Sequence, residues 1–141
     1  MTAQPLPVSA DNFLRRALLA DSVFSALAGA ACLAAGQPLA ALMGLASPVA
    51  LSGVAAVCAA YATGLALILR QRPIARPAAL FVIGGNSAWA AASYLLLLSG
   101  WVAFTPAGWW LVAIQADLVA ALAIAQYLGL RQREAAAQAA S

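Results

Sequence analysis

Few side chains in this sequence are equipped for chemistry, and they sit where water is scarce. Asp117 interrupts one apolar run, with Gln115 two residues before it; Asn86, Trp89 and Ser93 interrupt a second, and Tyr61 a third. Asn86, Trp89 and Ser93 follow one another at i, i+3 and i+7, so a helix carries them on one face. A carboxylate, an amide and two aromatic rings brought together make a counter-charge and a wall for a cationic or apolar ligand, or a path for protons. The same groups also serve as interhelical hydrogen bonds, worth about 0.6 kcal/mol each on average. Both readings stand for Asp117, Asn86, Trp89, Tyr61, Gln115 and Ser93. Asp21 and Gln126 are two further in-span polar residues, Asp21 near enough to an edge for Arg16 or water to satisfy it.

Other chemistries are poorly provided for. The chain has no histidine, so imidazole metal sites and histidine-based triads are not expected. Cys32 and Cys58 lie on different apolar runs without a Cys-x-x-Cys pair. They read as small apolar fillers, since a thiol oxidoreductase needs a second, exposed pair to pass electrons on. No paired constellation points to a reaction, so the expectation is a protein that is not an enzyme and that binds neither cofactor nor metal.

What positions these residues is a set of membrane helices. Charged residues make up 8% of the chain and hydrophobic ones 65%, where a soluble domain carries about a quarter and about a half. Mean hydropathy is +0.93. A domain this small leaves much of its side-chain area outside, and water does not solvate so apolar a surface. A span needs roughly 20 apolar residues, and four stretches qualify: about 18–35, 49–69, 78–98 and 109–130. Pro38, Pro48, Pro73, Pro77 and Pro106 fall between them, where a residue without an N–H belongs. The expected fold is all-α, one polytopic domain, a bundle of four transmembrane helices with short tails. The segment from Gln37 to Pro48, with apolar residues at near-helical spacing, is either a short interfacial helix or a packed loop.

Orientation follows from the arginines. All seven basic residues are Arg: Arg15 and Arg16 precede the first span, Arg70, Arg72 and Arg76 join the second to the third, and Arg131 and Arg133 follow the fourth. The other two connections hold no charge, so with positive residues cytoplasmic both ends of the chain face the cytoplasm. Trp101, Trp109 and Trp110 mark the opposite interface. With the arginines spent on topology, no basic patch remains for nucleic acid. Asp21 within the apolar stretch, and the length of that stretch, argue against a signal peptide. Counted from the arginine-flanked ends, Asp117 and Ser93 come out roughly 21 Å deep, Tyr61 and Asn86 about 12–14 Å, and Asp21 about 6 Å. A carboxylate at the depth of Asp117 is expected to face the bundle interior, to be protonated, or both.

Leu69-Arg70-Gln71-Arg72 recurs as Leu130-Arg131-Gln132-Arg133. The interiors of the two hairpins match poorly, so the echo reads as a shared stop-transfer flank more readily than as a repeat. Ser52, Ala56, Ala60 and Gly64 run at four-residue intervals, as do Gly84, Ala88 and Ala92. Such stripes let helix backbones approach, within the bundle by default or against another chain.

The run from Gly85 to Ser93, then Ser99-Gly100-Trp101-Val102 and Thr105-Pro106, with Leu18 to Val23 and the stretch around Gln115, resembles an uncharacterised family of small bacterial four-helix integral membrane proteins. The resemblance covers most of the chain beyond its N-terminal tail. It implies the architecture and a multi-pass place in the bacterial inner membrane, and no activity. Tyr61 matches the tyrosine of the family's second helix, whereas Asp117 departs from its pattern. The first span also lacks the membrane glutamate of small multidrug exporters. The functional expectation is a non-catalytic membrane protein, an accessory subunit of a larger complex or a homo-oligomer, in contact with lipid and with a membrane partner. The alternative is a small transporter or binder of an apolar or cationic molecule.

Overall fold

The computed structural model describes residues 8–139, which form five helices joined by short connections. Helix α1 runs Val8–Ala34, α2 Gly36–Met43, α3 Val49–Leu69, α4 Arg76–Ser99 and α5 Pro106–Ala139. Four of them, α1, α3, α4 and α5, are long and apolar enough to cross a membrane, and the chain is a multi-pass membrane protein. α3 has the bounds expected from sequence. α5 continues past Leu130 because Arg-Gln-Arg-Glu followed by alanines is built of strong helix formers. α4 starts at Arg76 with Pro77 in its first turn, the one part of a helix where a missing N–H costs nothing.

The long helices form a curved row in the order α3–α1–α5–α4. α1 is the shared element: Leu14, Leu18, Asp21 and Ser25, one face at helical spacing, are buried between its neighbours. The backbones of α3 and α4, at the two ends of the row, hardly approach one another. The space between them near the arginine end is filled by side chains, with Leu65 and Tyr61 of α3 packed in one cluster with Leu14, Leu18, Ala79, Val82 and Leu130.

That end is also tied by charge. Arg15 donates to the carbonyls of Leu69 and Gln71, capping the open end of α3. Arg133 donates to Ile74 O at 2.6 Å, and Arg76 pairs with Glu134 at 2.7 Å. The arginines that set the topology signal therefore also join the helix ends.

At the other end the segment between the first two spans is a helix, α2, docked on the bundle. Ala40 and Met43 are buried with Leu51, Leu97, Val112 and Ala113. α2 ends in a left-handed Gly44 (φ 81°), whose own N–H and that of Leu45 close back on α2 carbonyls. Thr105 N–H donates to Met43 O at 3.1 Å, and the Thr105 hydroxyl donates to Leu42 O. The same hydroxyl accepts from Gly108 N–H at 3.0 Å, making Thr105 the N-cap of α5 ahead of Pro106. One threonine thus joins the end of α2 to the start of α5.

Both four-residue stripes of small residues face outward. Ser52, Ala56 and Ala60 of α3 are exposed, as are Gly84, Ala88 and Ala92 of α4. Close internal approaches are made elsewhere, among them that of α1 to α3 at Gly29. A Cβ there would lie 3.1 Å from Cys58 Cβ and 3.3 Å from Ala55 O.

Candidate functional site

The residues expected to share one site are divided among three places. The first is a buried cluster to which every long helix contributes: Asp21 from α1, Tyr61 from α3, Asn86 from α4 and Gln126 from α5. Asp21 and Gln126 are fully buried, and Asn86 is 4% exposed. Asp21 Oδ2 is the hub. It accepts from Asn86 Nδ2 at 2.7 Å, from Gln126 Nε2 at 2.7 Å, and lies 3.1 Å from the Tyr61 hydroxyl. Tyr61 has one proton and two acceptors in reach, the second being Asn86 Oδ1 at 2.9 Å. Asn86 Nδ2 also donates to Gln126 Oε1 at 3.2 Å. Asp21 Oδ1 is buried without a hydrogen-bond partner. The groups gathered on this carboxylate are neutral ones, the amides of Asn86 and Gln126 and the Tyr61 hydroxyl, rather than Arg16.

Local sequence explains the convergence. Asp21 and Ser25 lie one turn apart and extend the buried face begun by Leu14 and Leu18. Asn86 stands on the stripe Ala79, Val82, Asn86, Ala90, Ser93, Leu97 that α4 turns inward. Gln126 follows Ala116, Val119 and Ala123 on the buried face of α5.

The second place is a ring of hydrogen bonds between α4 and α5. Trp89 Nε1 donates to Gln115 Oε1 at 3.1 Å, Gln115 Nε2 donates to Ser93 Oγ at 2.9 Å, and the Ser93 hydroxyl donates to Trp89 O at 2.9 Å. Every donor named is answered within the ring, which fixes the register of the two helices.

The third place is Asp117, and it differs from expectation. Asp117 is exposed on the outside of the bundle, where the Tyr94 hydroxyl donates to its Oδ1. Ala116 beside it is fully buried. One step along a helix of 3.6 residues per turn swings the next side chain by about 100°, here out of the interface. Asp117 therefore does not join Asn86, Tyr61 and Trp89 in one pocket. Sequence reasoning missed Tyr94, which lies at the i+4 position from Ala90 on the outer edge of α4, and it ranked Asp21 below Asp117.

No grouping of three or more His, Cys, Asp or Glu suited to a metal occurs among the described residues. An open groove of about 460 Å³ lies on the outer side of the α4–α5 pair. It opens toward the surrounding membrane, away from the Asp21 cluster. No protein-family model, curated protein or solved structure matches the chain, so its function has to be argued from this geometry.

Proposed function

We propose that the chain is a non-catalytic protein of the bacterial inner membrane, with both ends cytoplasmic, that works inside an assembly as an accessory subunit of a larger membrane complex or as a homo-oligomer. One observation carries this reading: Asp117 projects from the outside of the bundle, level with the apolar part of its span. It lies seven residues, about 10 Å, along the helix from Trp110 and fourteen, about 21 Å, from Arg131. A charged group facing hydrocarbon at such a depth costs about 3 kcal/mol or more. A single tyrosine hydroxyl offsets little of that, whereas a covering protein surface removes the contact with lipid.

The reading of a small transporter or binder draws less support. It needs Asp117, Trp89 and Tyr61 around one cavity, and these residues serve three separate networks. The Asp21 cluster joins four helices through side chains that already hold one another, the arrangement of interhelical glue.

Native mass spectrometry of the protein released gently from its host membranes tests the proposal. A reproducible complex that falls apart on Asp117→Leu is the expected result. A bare monomer, unchanged by that substitution, overturns it.

A further inference from the structure

The outer face of the α4–α5 pair holds more than Asp117. Ile83, Ser87, Ala90 and Tyr94 follow each other at three- and four-residue steps on α4, and Asp117, Ala120 and Ile124 do so on α5. Between them runs the groove of about 460 Å³, with Ala90 and Ala123 as its buried floor and the exposed Ile124 and Tyr127 at its edge. The groove is open along its length, and its floor is alanine. A helix can settle into such a channel with its backbone close, whereas a small molecule would be left largely uncovered. The Tyr94–Asp117 pair stands on the same face, one turn beyond the groove.

Charge decides what kind of helix fits. A carboxylate at this level is complemented by a Lys or Arg side chain at the same height. All seven basic residues of the chain are Arg at the opposite end of the bundle, and there is no Lys or His. A second copy inserted in the same orientation brings its own Asp117 to this level, setting carboxylate against carboxylate. We propose that the α4–α5 groove docks a transmembrane helix of a different membrane protein, one bearing a Lys or Arg that pairs with Asp117 while Tyr94 holds the carboxylate in place. The proposal rests on the assembly reading above and chooses, within it, the accessory subunit over the homo-oligomer.

The test uses the full chain in lipid bilayers and a synthetic Leu-Ala transmembrane helix with one Lys level with Asp117, association being read by energy transfer between labels. The Lys peptide is expected to bind roughly tenfold or more tightly than the same peptide with Leu at that position. The advantage should vanish in Asp117→Asn and shrink in Tyr94→Phe; both changes lie on the outer face and leave the Asp21 cluster intact. Equal binding of the two peptides, or a Lys preference that survives Asp117→Asn, overturns the proposal. So does Asp117-dependent transfer between copies of the chain without peptide, which assigns the face to a second copy. Displacement of the Lys peptide by a stoichiometric amount of dodecylamine overturns it in favour of a small cationic ligand. If the peptide fails while native membranes still yield a complex, the assembly reading survives and the docking face lies elsewhere.

Discussion

Asp21 is the residue on which the interior turns, because its Oδ2 answers donors from α3, α4 and α5 at once. Replacing it with Ala strands the Gln126 amide and removes the stronger partner of Asn86. Each buried group left unpaired costs about 1–3 kcal/mol. Asp21→Ala should therefore destabilise the bundle by about 2–4 kcal/mol, read as a shift in reversible unfolding in mixed micelles. Tyr61→Phe leaves Asp21 Oδ2 its two amide donors but takes from Asn86 Oδ1 the hydroxyl that donates to it, and about 1–2 kcal/mol is expected. A loss in Tyr61→Phe as large as in Asp21→Ala would contradict Asp21 as the hub. The residues of this cluster were legible as polar positions within spans, and the count of depth put Tyr61 beside Asn86, but it kept Asp21 apart from them. Depth counted from the ends of each span assumes that the ends are level. Arg15 reaching the carbonyls of Leu69 and Gln71, and Arg133 reaching that of Ile74, show how the helices are offset. Rotation was less legible still. Lipid is as apolar as a protein interior, so a membrane helix need not carry the one-sided pattern that tells inside from outside in water. Nothing in the sequence around Ala116-Asp117 says which of the two points inward.

At the scale of elements, the four spans and the boundaries of α3 could be read directly, since length, apolarity and flanking prolines set them. The docking of α2 could not, because it depends on a contact 65 residues away in sequence. Gly108 makes that contact possible. A Cβ at this position would sit 2.6 Å from Met43 Cα and 2.7 Å from Met43 O. The listener on the other side is backbone, which cannot swing aside as a long side chain does. Gly108→Ala should cost about 1–3 kcal/mol through overpacking and loosen α2, seen as faster amide exchange over residues 36–43. The outward-facing Gly64 gives the contrast: a Cβ there meets nothing within 4 Å. Gly64→Ala is expected to be neutral or slightly stabilising, because alanine favours the helix by about 1 kcal/mol. Equal effects at the two positions would mean that α2 is not held at Gly108.

For the whole molecule, the arginine ends of α1, α3, α4 and α5 gather on one side, and Trp101, Trp109 and Trp110 on the other. The proposed orientation is checked with single cysteines in a chain whose Cys32 and Cys58 are replaced by Ala. Trp101→Cys should react with an impermeant thiol reagent added to intact spheroplasts, and Ala137→Cys only after lysis. The reverse pattern would place the arginines outside and overturn the proposed orientation.

The hub of the Asp21 cluster also bears on how the chain is made. Its partners are Tyr61, Asn86 and Gln126, and they follow it by 40, 65 and 105 residues. A ribosome delivers α1 to the bilayer long before α4 and α5 exist, so the carboxylate enters the membrane with most of its donors still unsynthesised. The first hairpin on its own is then expected to be a poor lodger in lipid, retained by the insertion machinery until the second hairpin arrives. A nascent chain arrested just after Arg72 should remain crosslinkable to the insertion machinery through α1, and Asp21→Leu should release it early. Early release in Asp21→Leu would make correct assembly of this small protein a matter of the order and timing of its synthesis as well as of its final contacts.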